Sequence, residues 1–320
     1  MKRHLIIVSL VLWPSLAVWA TSGPEPKSTP TISGPWQLLF QPQKAGSYIN
    51  DHCLFQDREG NWHLIGISSH LMILYFSDRW FAHGMAPFLG EPMRELGPLF
   101  QGWPDQGLKW APHAVWDGDT LHLFAGPGKV RHFVSRDGYQ FEFAGIAVEG
   151  WRWLRDTMII RGEDRSWIMY ATDQDDTISA FRSPDLNRWE RVGTVFKAKK
   201  PAPVWSPYSI SSTESPFVIK RDDGYYLSVC LTNYPRQLNT YLNTLIFFSA
   251  NPLDFGVYAA GGEGETARLV TRLTTHAAEY IQDQDGSWWI TCSGWKGYPR
   301  PAGCPGGQAC LAPLTWVPRP

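Results

Sequence analysis

One strand-and-turn unit recurs five times along this chain of 320 residues, and it limits the possible folds more than any other feature. Each copy starts with an Asp/Gly-rich turn and continues into aromatic and β-branched residues, which is typical of a hairpin on a pleated sheet. The copies cover residues 57–65, 116–124, 162–170, 221–229 and 283–291. Corresponding positions lie about 46 to 63 residues apart, close to the length of a large propeller blade.

The repeat predicts an all-β protein, because no long stretch of the sequence has sustained helical periodicity. Five similar sheets lose their exposed edges when they close into a ring. We therefore predict a five-bladed β-propeller, with the propeller domain spanning residues 35–320.

Residues 1–20 have the pattern of an export signal. Lys2 and Arg3 precede an apolar run, and Ala20 is a small residue suited to a cleavage site. An uncleaved anchor is the alternative, although the apolar run is short for a membrane span. We predict a signal peptide at 1–20, a flexible Pro/Ser-rich leader at 21–34, and a secreted or periplasmic protein that leaves the membrane after cleavage.

The composition points away from charged partners and toward carbohydrate. The net charge of −1 favours neither nucleic acid nor an anionic membrane surface. The 17 tryptophans are unusual, since indole rings suit the flat apolar faces of sugars as well as a protein core. Candidate sugar platforms, each of which could equally be a core residue, are Trp110, Trp153, Trp205 and Trp295.

The chain has five cysteines, an odd number. Cys304 and Cys310 flank a Gly/Pro-rich segment, so in an exported protein they could close a small disulfide loop. The other three are expected to be packing residues.

Three acids lie just upstream of repeat units, at what the pattern suggests is the same position: Asp51, Asp156 and Glu214. The segments upstream of the repeat units are expected to form the innermost strands of a propeller, so the three carboxyls should converge at one mouth of the central channel. Converging carboxyls suit hydrolysis of a glycosidic bond, whose transition state needs a proton donor and a nearby anion.

Several short motifs resemble those of the five-bladed propeller glycosidases of families 32, 43, 62, 68 and 117. The segments that carry this resemblance are Asn50-Asp51 with His63-Leu64, Trp110-Ala111-Pro112-His113, Arg155-Asp156, Glu214-Ser215-Pro216 and Leu311-Ala312-Pro313-Leu314-Thr315-Trp316. Together they cover nearly the whole chain after the signal. His52 and Thr157 depart from the pattern, because a proline commonly follows each aspartate in these families.

The resemblance implies an exported hydrolase of arabinofuranosyl, xylosyl or fructosyl linkages acting on an oligo- or polysaccharide. Asp51 would be the base of an inverting mechanism or the nucleophile of a retaining one, and Glu214 the general acid. Asp156 would hold sugar hydroxyls or tune the pKa of Glu214. The residues implied to contact substrate are Asn50, Trp110, His113, Trp153, Arg155, Trp205 and Trp295.

We predict inversion; the alternatives are a retaining fructosidase or fructosyl transferase, a non-catalytic carbohydrate-binding propeller, or an unrelated protein-binding propeller. No cofactor is expected to be required. His276 stands where such enzymes often bind a calcium or sodium ion in the central channel, although a hydrogen-bonded core histidine is equally compatible with the sequence. We expect a monomer.

Overall fold

The computed structural model describes residues 24–69, 78–102, 104–105, 107–150, 153–173, 176–199, 213–231, 243–294 and 301–320. These residues form strands and connecting loops with no α-helix, and none of their elements is a helix able to cross a bilayer. The predicted signal peptide at 1–20 lies outside the described residues.

Twenty-two strands follow one another along the described residues. In chain order they are β1 (Ser28–Ile32), β2 (Gln37–Phe40), β3 (His52–Gln56), β4 (Trp62–Ser68), β5 (Trp80–Ala86), β6 (Arg94–Glu95), β7 (Trp110–Asp117), β8 (Thr120–Gly126), β9 (Val130–Ser135), β10 (Glu142–Val148), β11 (Arg155–Arg161), β12 (Trp167–Thr172), β13 (Thr177–Ser183), β14 (Glu190–Ala198), β15 (Thr213–Arg221), β16 (Gly224–Leu231), β17 (Asn243–Ser249), β18 (Gly256–Tyr258), β19 (Arg268–Thr274), β20 (Tyr280–Gln282), β21 (Trp288–Cys292) and β22 (Ala309–Pro318).

The strands form five mostly antiparallel sheets, which confirms the predicted five-bladed β-propeller. Blades one to four have the strand orders β3-β4-β5-β6, β7-β8-β9-β10, β11-β12-β13-β14 and β15-β16-β17-β19. The short strand β18 adds to blade three in parallel with β14. The first strand of each of these blades is the innermost one, since β3, β7, β11 and β15 contact one another in that order.

The predicted repeat units are the hairpins between the first and second strands of each blade. In blade one the carboxylate of Asp57 accepts hydrogen bonds from the backbone N–H groups of Glu59 and Asn61 at 2.9 and 2.8 Å, which stabilises the turn. Gly60 in this turn has a φ of 88°, a conformation that glycine adopts without strain. Local turn chemistry therefore fixes the hairpin positions.

Blade five closes the ring by joining both ends of the described chain. Its strand order is β20-β21-β22-β1, with β2 also paired to β22. Ser28 pairs with Pro318, and Ile32 pairs with Leu314. Residues 28–32 therefore belong to the propeller, and their assignment to a flexible leader is wrong, because their backbone groups complete the outer edge of this sheet.

The hydrophobic core lies between neighbouring blades. One cluster joins blades three and four through buried side chains such as Tyr170, Phe196 and Phe247. A second joins blades one and two, and a third joins blades four and five. Burial of each large apolar side chain contributes about 1.5–3 kcal/mol. Contacts between blades thus hold the inner ends of the sheets close enough to share one site.

The five cysteines are all buried free thiols, so the disulfide that Cys304 and Cys310 could form is absent from this structure. Cys304 and Cys310 instead cluster with Cys292 beside Trp36. The Cys304 thiol lies 3.5 Å from the backbone oxygen of Cys292, and Cys292 pairs with Cys310 across β21 and β22. The three thiols form a small apolar contact that packs the loop before β22 against blade five.

Candidate active site

In blades two to five the backbone has the same irregularity at or shortly before the first strand of the blade. Ala111, Asp156, Ser215 and Ala277 have φ angles of 43°, 55°, 50° and 48°. Positive φ is uncommon for residues other than glycine and clusters at functional sites. In blades two, three and four the strand register also shifts at this point, as in a β-bulge. A bulge bends its strand and re-aims side chains, so these starts can face the propeller axis.

The strand starts together form a cup at one end of the axis, and all five blades contribute to it. The cup has a cavity volume of about 20 Å³, enough for about one water molecule. Its lining residues are Asp51, His52, Ala111, Pro112, Asp156, Thr157, Ser215, Pro216, Ala277, Ala278 and Glu279.

Of the three predicted acids, Asp51 and Asp156 line this cup, and Glu214 lies close enough for both of their charges to act on its carboxyl. The three acids do not share one position of the repeat. Asp156 takes the positive-φ position of blade three, whereas in blade four that position belongs to Ser215. Glu214 lies one residue earlier and corresponds to Arg155 in blade three. The prediction of three matching positions is therefore wrong by one residue for Glu214, and this offset places a cation and an acid side by side.

Asp51 is half-buried at the start of blade one and is held by blade four. Its Oδ1 accepts a hydrogen bond of 2.6 Å from the Ser215 hydroxyl. Burial, followed by repulsion from the nearby Asp156 carboxylate, raises the pKa of Asp51 to about 7. The carboxyl of Asp51 can therefore gain or lose a proton near neutral pH, as a general base must.

Asp156 is a fixed acceptor at the centre of the site. Its Oδ2 accepts hydrogen bonds from the Thr172 hydroxyl at 3.0 Å and from the backbone N–H of Ser215 at 3.1 Å. The guanidinium of Arg155 lies 3.5 Å from the same oxygen. These three donors fix the orientation of the Asp156 carboxylate against blade four.

Glu214 is paired with Arg155. The Nη2 of Arg155 donates to Oε1 of Glu214 at 3.3 Å, and both side chains are largely shielded from solvent. Burial raises the pKa of Glu214 to about 8, and the Arg155 charge only partly opposes that rise. The carboxylates of Asp156 and Asp51 raise this pKa further. Glu214 is therefore protonated at neutral pH, as a general acid requires.

Asn50 and His276 meet where blade five adjoins blade one. Nε2 of His276 lies 3.3 Å from Oδ1 of Asn50, and its Nδ1 lies 3.5 Å from the thiol of Cys230. The described residues include no group of three or more His, Cys, Asp or Glu side chains that could hold a metal ion. The described residues around His276 therefore do not provide a cation site made of protein ligands alone. A calcium or sodium ion held by His276 and water molecules stays a prediction.

The other predicted contact residues are only partly placed near the cup. Trp110 is buried in the core between blades one and two, where its ring stacks on Trp153 at 6.4 Å between centroids. Trp153 is half-buried and keeps the greater exposure of the two. His113 is buried and packs edge-on to Phe217, and burial lowers its pKa to about 4, so it is neutral. Trp205 and Trp295 lie outside the described residues.

Three polar residues of the site escaped prediction. Ser215 and Thr172 hold the carboxylates of Asp51 and Asp156, and no feature of their residue type distinguishes them from other Ser and Thr in the chain. Glu279 lines the cup from blade five. A carboxylate just upstream of the fifth repeat unit is the same signal that identified Asp51, so the sequence did carry an indication of Glu279.

Comparison with known proteins identifies the architecture. No protein-family model matches the chain, and no curated protein matches its sequence. An exo-1,5-α-L-arabinanase from a bovine ruminal metagenomic library is 14% identical, with a TM-score of 0.63, over 87% of this chain and 99% of that one. A thermostable family-43 glycoside hydrolase is 15% identical, with a TM-score of 0.58, over 88% and 97%.

A third solved structure has the same fold. It is a family-43 β-xylosidase/α-arabinofuranosidase from a compost microbial metagenome, 14% identical, with a TM-score of 0.56, over 90% of this chain and 95% of that one. At these identities the likeness establishes the shared propeller along the length of the chain. The chemistry must be argued from the cup.

Proposed function

We propose that this protein is an exported glycoside hydrolase that cleaves furanosidic or xylosidic linkages of an oligo- or polysaccharide. The observation that carries the proposal is that Asp51 and Asp156 line one small cup with Glu214 beside them, and that burial and neighbouring charges raise the pKa of Asp51 to about 7 and that of Glu214 to about 8. The arabinanase and xylosidase named among the structural neighbours support the choice of sugars. The sequence of residues 1–20 supports export to the periplasm or beyond the cell.

The roles follow from the charges of the three acids. Protonated Glu214 delivers its proton to the oxygen of the leaving sugar, and Arg155 then stabilises the carboxylate that remains. Ionised Asp51 takes a proton from a water molecule that attacks the opposite face of the sugar ring, which inverts the anomeric configuration. Asp156, with its donors fixed in place, accepts hydrogen bonds from sugar hydroxyls and contributes negative charge near the oxocarbenium-like transition state.

The direct test is hydrolysis of a panel of aryl glycosides by the purified protein. We expect cleavage of 4-nitrophenyl α-L-arabinofuranoside or β-D-xylopyranoside, with NMR detecting the inverted anomer as the first product. If the first product instead retains the anomeric configuration, Asp51 acts as a nucleophile, as in the retaining alternative. Failure to cleave any furanoside or pyranoside of the panel, combined with binding of free sugar, would favour a non-catalytic carbohydrate-binding propeller.

The two shifted carboxyls predict a narrow pH optimum. Activity needs ionised Asp51, so kcat/KM should fall as the pH drops below about 7. It also needs protonated Glu214, so kcat/KM should fall as the pH rises above about 8. Because the two carboxyls interact, the two pKa values that this pH profile yields describe the pair and not each residue separately. A profile of kcat/KM against pH measures both, and an optimum near pH 4 would contradict the proposed protonation states.

A further inference from the structure

Glu279 is a fourth acid in the cup, outside the trio already described. It lies two residues after Ala277, whose φ of 48° marks the start of blade five, and it directly precedes β20. Glu279 lines the same cavity as Asp51 and Asp156. Blade five thus presents a carboxyl to whatever the cup binds.

The backbone of Glu279 is firmly held. Its N–H donates to the Thr291 hydroxyl at 2.9 Å, and its carbonyl oxygen accepts from the backbone N–H of Thr291 at 3.0 Å. Both contacts tie residue 279 to β21. The base of the Glu279 side chain is therefore fixed beside the cup.

The carboxyl itself has no hydrogen-bond or ion-pair partner among the described residues, although burial shields it from most solvent. Burial, reinforced by the charge of Asp51, holds the pKa of Glu279 well above its usual range. This shift favours the neutral O–H form of the carboxyl, which can donate a hydrogen bond. Since Glu279 is partly exposed and lines the cup, its carboxyl is accessible to a molecule bound there.

We propose that Glu279 determines sugar specificity by donating a hydrogen bond to one hydroxyl oxygen of a sugar ring bound at the cup. The proposal rests on the glycosidase function argued above. Its physical basis is that the sugar hydroxyl supplies the partner that the protein does not. A site built to bond a hydroxyl discriminates strongly against an analogue that lacks it, because the protein group is then left unpaired. A protonated carboxyl in an apolar site is a known form of such a donor.

The test compares Glu279→Gln, which keeps a donor, with Glu279→Ala, which removes it. Gln282→Ala is the matched control, since Gln282 is an exposed residue of the neighbouring strand β20. Each variant is assayed on 4-nitrophenyl α-L-arabinofuranoside and β-D-xylopyranoside and on their monodeoxy analogues. We expect Glu279→Ala to lower kcat/KM by about 10- to 100-fold and Glu279→Gln by less than about 5-fold. The effect of Glu279→Ala should vanish on the one analogue that lacks the bonded hydroxyl.

A loss that is equal on every deoxy analogue, or an Ala variant that matches wild type, would overturn the assignment. Binding of free L-arabinose and D-xylose, measured by calorimetry, separates this inference from the proposed reaction. If wild type hydrolyses nothing, the glycosidase proposal fails, and Glu279 is then judged by whether Glu279→Ala weakens sugar binding relative to Gln282→Ala. Equal affinity of those two variants, or no sugar binding at all by wild type, counts against Glu279.

Discussion

Replacing Glu214 by glutamine is expected to lower kcat by about 10²–10⁴-fold on a substrate with a poor leaving group, such as a natural disaccharide. The glutamine has the same shape and can still accept the hydrogen bond from Arg155, so the pairing with blade three is kept. What it lacks is the proton that burial retains on Glu214 at neutral pH. The loss therefore reports proton donation rather than disruption of the cup.

The leaving group provides the internal check on this variant. An aryl glycoside with an acidic phenol departs without protonation, so its loss in Glu214→Gln should be much smaller than that of the disaccharide. Glu163→Gln is the matched control. Glu163 is an exposed acid in the turn that follows β11, whereas Arg155, the partner of Glu214, lies at the start of that strand. An equal loss on both substrates would assign Glu214 a structural role instead.

The fold was predictable because its signals are local. Each repeat unit contains its own hairpin turn, as Asp57 and Gly60 illustrate, and five such units leave a propeller as the way to remove sheet edges. The pairing of residues 28–32 with β22 was not predictable in this way. It depends on a contact between the two ends of the described chain, and the Pro- and Thr-containing segment carries no strong strand pattern of its own.

The composition of the site was predicted better than its geometry. Asp51, Asp156 and Glu214 do lie close together, but the one-residue offset of Glu214 is visible only from the matching bulges of blades three and four, which align Asp156 with Ser215. A positive φ at a residue other than glycine is imposed by the surrounding sheets and leaves no trace in residue type. For the same reason the Ser215 hydroxyl could not be identified as the group that bridges blades four and one.

Asp51→Asn is expected to lose about 10²–10⁴-fold in kcat and, at alkaline pH, to be more stable than wild type. Asparagine keeps the shape of the side chain and a hydrogen bond to Ser215, but it cannot accept a proton from water. The gain in stability follows from the raised pKa. The folded protein holds a proton on Asp51 up to about pH 7, whereas the unfolded chain releases it near its ordinary value of 3.8.

The sign of that linkage makes the stability effect specific to pH. Between about pH 4 and pH 7 the wild type loses stability as the pH rises, because the unfolded state sheds the proton that the folded state keeps. The neutral asparagine has no such loss, so its advantage in Tm should be small at pH 4 and largest above pH 7. Thermal melts at pH 4 and pH 8 measure this difference. Asp119→Asn, which removes an exposed carboxylate in the turn between β7 and β8, should show no such gain. An Asp51→Asn variant that is inactive but no more stable than wild type at pH 8 would contradict the raised pKa of Asp51. A variant that is inactive and more stable would show that the charge of Asp51 serves catalysis at a cost in stability.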